Sequence, residues 1–210
     1  MESLALLLEK TAALHPHLCP RQVLGVRMGM YAASLLEMDL PQTDKQLLTI
    51  VETDGCFSDG IAVATGCWVG RRTLRVEDYG KAAATFIDTL TGEAVRIIPQ
   101  HASRQRALEF APEAADKWHA MLISYQHLPD ADLFAVRAVR LTMPLERLIS
   151  RPGYRVTCQA CGEEIINECE VRVAGRVLCR ACAGQPYYLA ESDSAVPEAL
   201  PHLVSQEHWH

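Results

Sequence analysis

Four cysteines in the last third of the chain have the residue type and the spacing of a metal site. Cys158 and Cys161 form one CxxC pair, and Cys179 and Cys182 form a second pair after seventeen intervening residues. Two such pairs at this separation are typical of zinc sites, because four thiolates complete a tetrahedral shell and leave no position open for a substrate. The pattern therefore predicts a structural zinc module rather than a catalytic centre.

A pair of redox dithiols is the competing interpretation of these cysteines. A thioredoxin-type CxxC opens a helix within a sizeable α/β domain, whereas residues 151–186 are too few to form a stable core without a metal. Gly162 and Gly175 supply the turns of a knuckle and of a hairpin over residues 171–178. We therefore predict a treble-clef zinc finger over 151–186, in which Cys169 fits no ligand spacing.

A second set of metal-ligand residue types lies near the start of the chain. His15, His17 and Cys19 fall within five residues and directly precede Pro20. Proline suits the first position of a helix, because its ring fixes φ and its missing N–H is not needed there. Cys19 is then the N-cap, where the helix dipole stabilises a thiolate for metal binding or nucleophilic attack. A solvated loop with an incidental cysteine is the alternative.

Another cysteine of the main domain, Cys56, follows a predicted buried strand at 47–52 and a tight turn. Ser58 is a plausible N-cap for a short helix over 59–65, so Cys56 would lie just before a helix start. A site that joins His17, Cys19 and Cys56 would have three protein ligands and a fourth position open to water or substrate. The sequence does not show that these segments meet.

The other elements predict an α+β main domain, because helices and hairpins do not alternate strictly. Gly25 and Gly29 lie one turn apart in the second helix, which indicates close packing against another element. The predicted elements are a helix over 20–38, a strand at 73–76, a hairpin of 83–88 with 94–98, helices within 103–126 divided at Pro112, and a last strand at 134–143.

The composition limits the partners that the chain can attract. Of its 210 residues 49% are apolar, which is enough for a packed core, and the formal net charge is −6. An acidic chain is not drawn to polyanions, so nucleic-acid binding is not expected. Residues 1–14 predict an amphipathic helix without the basic region of a secretory signal, and no apolar stretch reaches the roughly 20 residues that cross a bilayer. We expect a cytoplasmic protein without membrane contact.

The motifs together resemble the FmdE family of formylmethanofuran dehydrogenase subunits. They are, in the family's order, His15-x-His17-x-Cys19-Pro20, Asp54-Gly55-Cys56-x-x-Asp59-Gly60-Ile61, Thr65-Gly66-Cys67-x-x-Gly70 and Asp78-Tyr79-Gly80-Lys81. Pro16 and Arg21 stand where the family usually has glycine. These two departures leave the ligand residues unchanged. Pro16 stiffens the loop, and Arg21 adds a cation beside the site.

The resemblance implies an organisation for the whole chain. It implies an α+β core over 1–150, with a mixed β-sheet flanked by helices and a thioredoxin-like arrangement. Members of the family often carry a treble-clef zinc finger after the core, here 151–186, and the aperiodic segment 187–210 is expected to be an irregular tail. The resemblance also implies a homodimer, and the finger is a candidate surface for a protein partner.

The resemblance further implies a site in the core that can hold zinc or another divalent metal. It is built around His17, Cys19 and Cys56, with His15 and Cys67 as further candidate ligands. This ion would be additional to the structural zinc of the finger. The segment 78–81 either lines the same cleft or forms a simple turn at its glycine.

Two functions remain open from the sequence. In the first, the chain is an accessory protein for molybdenum or tungsten enzymes or for one-carbon metabolism. If its core site is catalytic, Cys19, Cys56 and Asp59 are the candidate catalytic residues, with Asp59 or Asp54 as the proton carrier and the metal as Lewis acid or activator of water. In the second, the chain is a metallochaperone or protein-interaction component without catalysis of its own.

Overall fold

The chain forms two compact units, which we call the main unit, Met1–Ile149, and the finger unit, Ser150–His210. The structure is a computed structural model that describes residues 2–149 and 153–189. Most of the irregular tail predicted over 187–210 lies outside the described residues. Within the described part of the chain, no helix has the length and apolar character needed to cross a bilayer.

The main unit mixes helices and strands without strict alternation, which confirms the predicted α+β class. Its elements are α1 (Leu4–Ala12), α2 (Pro20–Leu35), β1 (Leu47–Val51), α3 (Cys56–Thr65), β2 (Leu74–Val76), β3 (Ala84–Asp88), β4 (Ala94–Pro99), α4 (Ser103–Phe110), α5 (Lys117–His127), α6 (Asp130–Leu133), β5 (Phe134–Ala138) and α7 (Leu145–Leu148).

The strands of the main unit form one mixed sheet in the order β2-β1-β3-β4-β5. β1 pairs parallel with β2 and antiparallel with β3. β3 and β4 form the predicted hairpin, and β5 pairs antiparallel with β4. The single parallel pair at one edge makes the sheet mixed, as predicted.

The sheet has two differently covered faces, because successive side chains of a strand point to opposite sides. On the first face, Leu47 and Val51 of β1 join the main core, which is completed by buried residues of α1, α2, α3, α4 and α5. On the second face, Leu48 packs with Ile87, and Leu145 of α7 packs against them. Helices therefore flank the sheet on both sides, and the larger layer covers the first face.

Helices α2 and α3 pack at very short range through glycines. A Cβ built on Gly25 would lie 2.2 Å from the carbonyl oxygen of Phe57, and one on Gly29 would lie 2.7 Å from Cβ of Ala64. The earlier residue of α2 contacts the earlier residue of α3, and the later residue contacts the later one, so the two helices run in the same direction. Their N-termini, which carry Cys19 and Cys56, therefore lie at the same end of the helix pair.

The start of α3 differs from the prediction. The helix begins at Cys56 rather than at residue 59, and its N-cap is Gly55 rather than Ser58. Gly55 has φ 76°, a conformation that glycine adopts without a Cβ penalty. The Ser58 hydroxyl instead donates to the carbonyl oxygen of Thr53 at 2.5 Å, which fixes the turn. Cys56 is thus the first residue of the helix.

Two other elements end earlier than predicted. α2 ends at Leu35 because Glu37 adopts the left-handed φ of 53°. β5 ends at Ala138, after which Val139 and Leu141 pack against the cluster on the second face of the sheet. The predicted glycine stop of α3 is confirmed, since Gly66 has φ 75° and its N–H donates to the carbonyl oxygen of Ala62.

The finger unit is built from two short hairpins. Its strands are β6 (Arg155–Thr157), β7 (Glu164–Ile166), β8 (Val171–Val173) and β9 (Arg176–Leu178). β6 pairs antiparallel with β7, and β8 pairs antiparallel with β9. Within residues 153–189, the buried core of this unit consists of the three side chains of Cys158, Ile165 and Leu178.

Candidate metal and thiol sites

The four finger cysteines converge on one point. Cys158 and Cys161 lie in the turn after β6, while Cys179 and Cys182 follow β9. Their sulfur atoms all lie within 4.8 Å of one another. The N–H of Cys179 donates to Sγ of Cys158 at 3.3 Å, which holds the two pairs together. A group of four thiols this close can hold a metal ion and fits a zinc finger.

The protonation of these thiols also indicates a cation site. Backbone N–H groups of Cys161, Cys179 and Ala160 donate to Cys158 and lower its pKa to about 6. The Cys182 thiol donates to the sulfurs of Cys179 and Cys161, and these hydrogen bonds raise its pKa to about 12. Neighbouring sulfur atoms thus keep a proton on Cys182, and a divalent cation among the four would displace it. Cys169 is exposed and bonds to the carbonyl oxygen of Asn167 instead.

In the main unit, Cys19 occupies the N-cap of α2, as predicted. Its Sγ accepts from the N–H of Gln22 at 3.4 Å, and its own N–H donates to Oε1 of Gln22 at 2.8 Å. This reciprocal pair is a capping box. The fully buried Gln22 also donates through Nε2 to the carbonyl oxygen of Thr11 at 2.8 Å. The cysteine is therefore held by its own helix and, through Gln22, by α1.

Cys56, the first residue of α3, meets Cys19 across the helix pair. Burial raises the pKa of the Cys56 thiol, and so do its hydrogen bond to Cys19 and the charge of Cys19. Both thiols are half-buried. Two cysteines that are 37 positions apart thus come together at the N-termini of two parallel helices. The convergence that the sequence left open is present for these two residues.

His15, a secondary candidate from the sequence, has a specific partner in the structure. Its Nε2 lies 2.8 Å from Oδ2 of Asp59, which is in the first turn of α3. The side chain of His15 is 27% exposed and that of Asp59 is 37% exposed, so both remain accessible from solvent. Asp59 also lies near Cys56, because its charge contributes to the raised pKa of that thiol. Sequence reasoning missed this contact, although both residues lie in motifs of the resemblance.

His17 contacts an aromatic side chain of the main unit. Its imidazole packs against Trp118 of α5, with ring centroids 6.2 Å apart. Within residues 2–149 and 153–189, the four finger cysteines are the only group of three or more ligand atoms from His, Cys, Asp or Glu that lie within 4.8 Å of one another. The structure therefore does not bring His17 into a compact cluster with Cys19 and Cys56, and the roles predicted for the three remain predictions.

Cys67 belongs to a different part of the fold. It is 2% exposed, and its Sγ donates to the carbonyl oxygen of Leu47 at 3.4 Å. Burial raises the pKa of this thiol. Cys67 follows the C-terminal end of α3 and Cys56 begins it, so a helix of ten residues, about 15 Å long, separates them. The structure does not bring Cys67 to the thiol pair.

The segment from Asp78 to Lys81 forms the simple turn that was one of its two interpretations. Asp78 Oδ1 accepts from the N–H of Gly80 at 2.9 Å. The backbone N–H groups of Tyr79 and Lys81 both donate to the carbonyl oxygen of Glu52 at 3.0 Å. Lys81 Nζ lies 5.7 Å from the centre of the Tyr79 ring. Asp54, the other candidate proton carrier, is exposed in the turn before α3.

The comparison with known families agrees with the motifs and the fold. A family model described as "FmdE, Molybdenum formylmethanofuran dehydrogenase operon" matches residues 14–135, which is more than half of the chain. The chain belongs to the FmdE family. The match includes Cys19, Cys56, Asp59 and both histidines of the first motif, and it ends before the finger unit. The finger is thus an addition to the FmdE region of the chain.

Two individual relatives extend this comparison. A protein of Archaeoglobus fulgidus named "Probable S-adenosyl-L-methionine-binding protein" is 29% identical over 206 residues, covering 86% of this chain and 53% of that protein. The chain therefore spans about half the length of this relative. The crystal structure of a tungsten formylmethanofuran dehydrogenase FmdE-like protein from Syntrophus aciditrophicus matches with a TM-score of 0.56 and 24% identity. The match covers 90% of this chain and 96% of the other, and it supports the fold.

Proposed function

We propose that the chain is a metal-binding accessory protein with two sites of different kinds. In the finger, four thiolates hold a structural zinc ion. In the main unit, Cys19 and Cys56 hold a second divalent ion at a position open to solvent or substrate. The contact of these two thiols at the paired N-termini of α2 and α3 carries the proposal. The protein would serve molybdenum or tungsten enzymes or one-carbon metabolism in the cytoplasm.

Zinc is the metal that the chemistry of the finger favours. Soft thiolate ligands in a four-sulfur group select zinc or iron–sulfur chemistry, and two CxxC turns around a single ion are typical of structural zinc. The closed shell offers no exchangeable position. Chemistry on a substrate is therefore assigned to the main unit, and the finger serves stability and docking of a protein partner.

The thiol pair of the main unit suits an open site. Two thiolates from Cys19 and Cys56 leave room for one imidazole and for an exchangeable ligand. His15 is oriented by Asp59, and this is the carboxylate–histidine arrangement that commonly positions a metal-bound imidazole. His17 is two residues from Cys19 and would have to leave Trp118 to bind. A bound divalent ion would supply Lewis acidity or lower the pKa of a coordinated water.

Metal content tests the proposal directly. After reconstitution with zinc and removal of the excess, the wild type is expected to hold two ions per chain. Cys19→Ser and Cys56→Ser are each expected to hold one, because either change removes half of the thiolate pair. Cys169→Ser is the matched control and should retain two, since Cys169 lies outside both sites. Zinc is measured by elemental analysis against protein concentration.

Two results of this experiment would contradict the proposal. One is a single zinc ion in both the wild type and Cys19→Ser. The other is a loss of metal from the finger in Cys19→Ser. Reconstitution with cobalt in place of zinc detects this, because the cobalt–thiolate absorption expected of four sulfur ligands would be lost. His15→Ala and His17→Ala then identify the imidazole, because only the ligating residue should weaken zinc binding at the second site.

The second candidate function, a metallochaperone, is favoured by the half-exposed position of both thiols. A carrier must release its ion to a partner, so the second zinc would exchange readily. Competition with a chromogenic chelator of known affinity distinguishes the two functions. A dissociation constant above about 1 μM for the second ion favours transit, and tighter retention favours a resident site.

We also propose that the protein is a homodimer, as its FmdE-like motifs imply. Sedimentation equilibrium should then give twice the chain mass of 23.3 kDa. A monomer at concentrations above about 100 μM would contradict this, since dimers with interfaces of standard size are commonly far tighter. Loss of the dimer in a chain truncated before residue 150 would assign the interface to the finger unit.

A further inference from the structure

An open cleft of about 620 Å³ lies on the main unit near the start of β3 and the end of β4. Its walls come from residues 81–83 before β3, from the end of β4, and from the segment 100–104 that leads into α4. The volume lies within the range of small-molecule sites. The finger unit and the thiols of Cys19 and Cys56 contribute nothing to this lining.

The cleft lies where β4 leads into α4, and the β4 residues that line it are on the second face of the sheet. Arg96 and Ile98 line it, whereas Val95 and Ile97, the alternate residues of the same strand, are buried in the core on the first face. The thiol pair belongs to the helices that cover the first face. The cleft and the thiol pair are therefore separate features of one unit.

The charges that line the cleft are all of one sign. Lys81, Arg96 and Arg104 supply cationic groups, His101 adds an imidazole, and no carboxylate is among the lining residues. Among the described residues, neither Lys81 nor Arg104 forms an ion pair. The full chain has a net charge of −6, so this concentration of positive charge is a local exception.

Arg96 is fixed in place by a buried carboxylate. Its Nε and Nη2 donate to the two carboxylate oxygens of Glu52 at 2.6 and 2.7 Å. The hydrogen bond to Glu52 raises the pKa of Arg96. A guanidinium has five N–H donors, and within the described part of the chain only two are used. The pairing preorganises the planar group and leaves donors for a ligand.

Part of the cleft lining is apolar. Ala82, Ala83, Ile98 and Pro99 contribute to its lining between the cationic groups. A free inorganic ion would leave these apolar side chains uncovered. A ligand with an anionic group and an apolar body would contact both parts of the cleft, because burial of apolar area adds to the charge-assisted hydrogen bonds.

We propose that this cleft binds a small organic anion. Its carboxylate or phosphate group would contact Lys81 and Arg104, with Arg96 as the prepositioned third cation, and its apolar part would lie on Ala83 and Ile98. This site is additional to the metal sites proposed above. It does not depend on either of them, since none of its residues is a candidate metal ligand.

Titration of the full-length, zinc-loaded protein with four probes tests the inference. The probes are acetate, benzoate, inorganic phosphate and phenyl phosphate, each added at fixed ionic strength with chloride as the balancing ion. Benzoate and phenyl phosphate are expected to bind about fivefold or more tightly than their small counterparts. Comparison of the two aromatic probes identifies carboxylate or phosphate as the preferred group. Amide NMR shifts should be largest for residues 81–83 and 96–104.

Charge-removing variants locate the site. Lys81→Gln combined with Arg104→Gln is expected to weaken binding of the preferred probe about tenfold or more. Lys117→Gln combined with Arg140→Gln removes the same charge from exposed positions outside the cleft lining and should leave the affinity within about twofold of the wild type. Equal weakening by both pairs, or shifts that never saturate with any probe, would overturn the proposal. Unchanged binding in the cleft pair would also overturn it.

Discussion

Cys158→Ser is expected to unfold the finger unit and to release its metal, while the main unit stays folded. Among the described residues of the finger, 153–189, the buried core contains only Cys158, Ile165 and Leu178, far too little to offset the conformational entropy of its chain. In small modules of this kind, the free energy of metal binding, about 10–16 kcal/mol for zinc, is the folding free energy. Removal of one of four ligands therefore removes most of the stability of the unit.

Amide NMR is the measurement that resolves the two units. Signals of residues 153–186 should collapse to the narrow range of an unfolded chain in Cys158→Ser, and those of 2–149 should remain dispersed. A strong chelator should have the same effect on the finger of the wild type. Cys169→Ser, which removes an exposed thiol that lies outside the metal cluster, should keep all signals. Dispersed finger signals in the metal-free protein would contradict this account.

The four-cysteine cluster of the finger could be predicted from sequence because it is encoded by local spacing. Two CxxC pairs specify two tight turns, and only one arrangement brings four thiols within reach of a single ion. The same holds for the capping position of Cys19, which follows from Pro20, and for the hairpin of β3 and β4, which follows from a turn at Gly92. Each of these features depends on contacts between residues that are close in the chain.

The site in the main unit depends on contacts that are distant in the chain, and it was predicted less completely. The sequence singled out Cys19 and Cys56 but ranked His17 above His15. The structure pairs His15 with Asp59 and places His17 against Trp118. Spacing treats the two histidines as equivalent, since both lie within four residues of Cys19. Both precede α2, in the loop that follows α1, and the path of that loop past α3 and α5 is a tertiary property.

The position of Cys67 illustrates the same limit. Cys56 and Cys67 lie in neighbouring motifs, and both were candidate ligands of one core site. However, the ten residues of α3 lie between them, and β1 contributes the carbonyl oxygen that accepts the bond from Cys67. The boundary of α3 was predicted three residues late, because Gly55 rather than Ser58 is the N-cap of the helix. The predicted helix over 59–65 already lay between the two thiols, and the observed start at Cys56 lengthens it to ten residues.

Gly60→Ala is expected to destabilise the main unit and to weaken the thiol pair at the same time. A Cβ at this position would lie 2.4 Å from the carbonyl oxygen of Gln22 and 2.9 Å from the backbone nitrogen of Val26. Both are backbone atoms of α2, so the helices must move apart. Such overpacking costs about 3 kcal/mol, and the higher helix propensity of alanine offsets about 1 kcal/mol of it. The net loss is about 2 kcal/mol.

Thermal unfolding measures the first effect of Gly60→Ala. A loss of about 2 kcal/mol lowers Tm by about 4–8 °C in a protein of this size. Gly25→Ala is expected to act in the same way, since its Cβ would lie 2.2 Å from the carbonyl oxygen of Phe57. Gly70→Ala is the matched control, because nothing lies within 4 Å of a Cβ there and its φ is not in the left-handed region. An unchanged Tm in Gly60→Ala would contradict the close packing of the two helices.

The second effect of Gly60→Ala links the fold to the proposed function. Cys19 and Cys56 meet only because α2 and α3 begin side by side. Gln22, whose side chain accepts from the backbone N–H of Cys19, is also the residue that the new methyl group would displace. Zinc binding in the main unit should therefore weaken, while the finger keeps its ion. If Gly60→Ala lowers Tm but leaves the second zinc site unchanged, the thiol pair is not held by the helix contact. The ion would then be bound by residues outside the two helix N-termini.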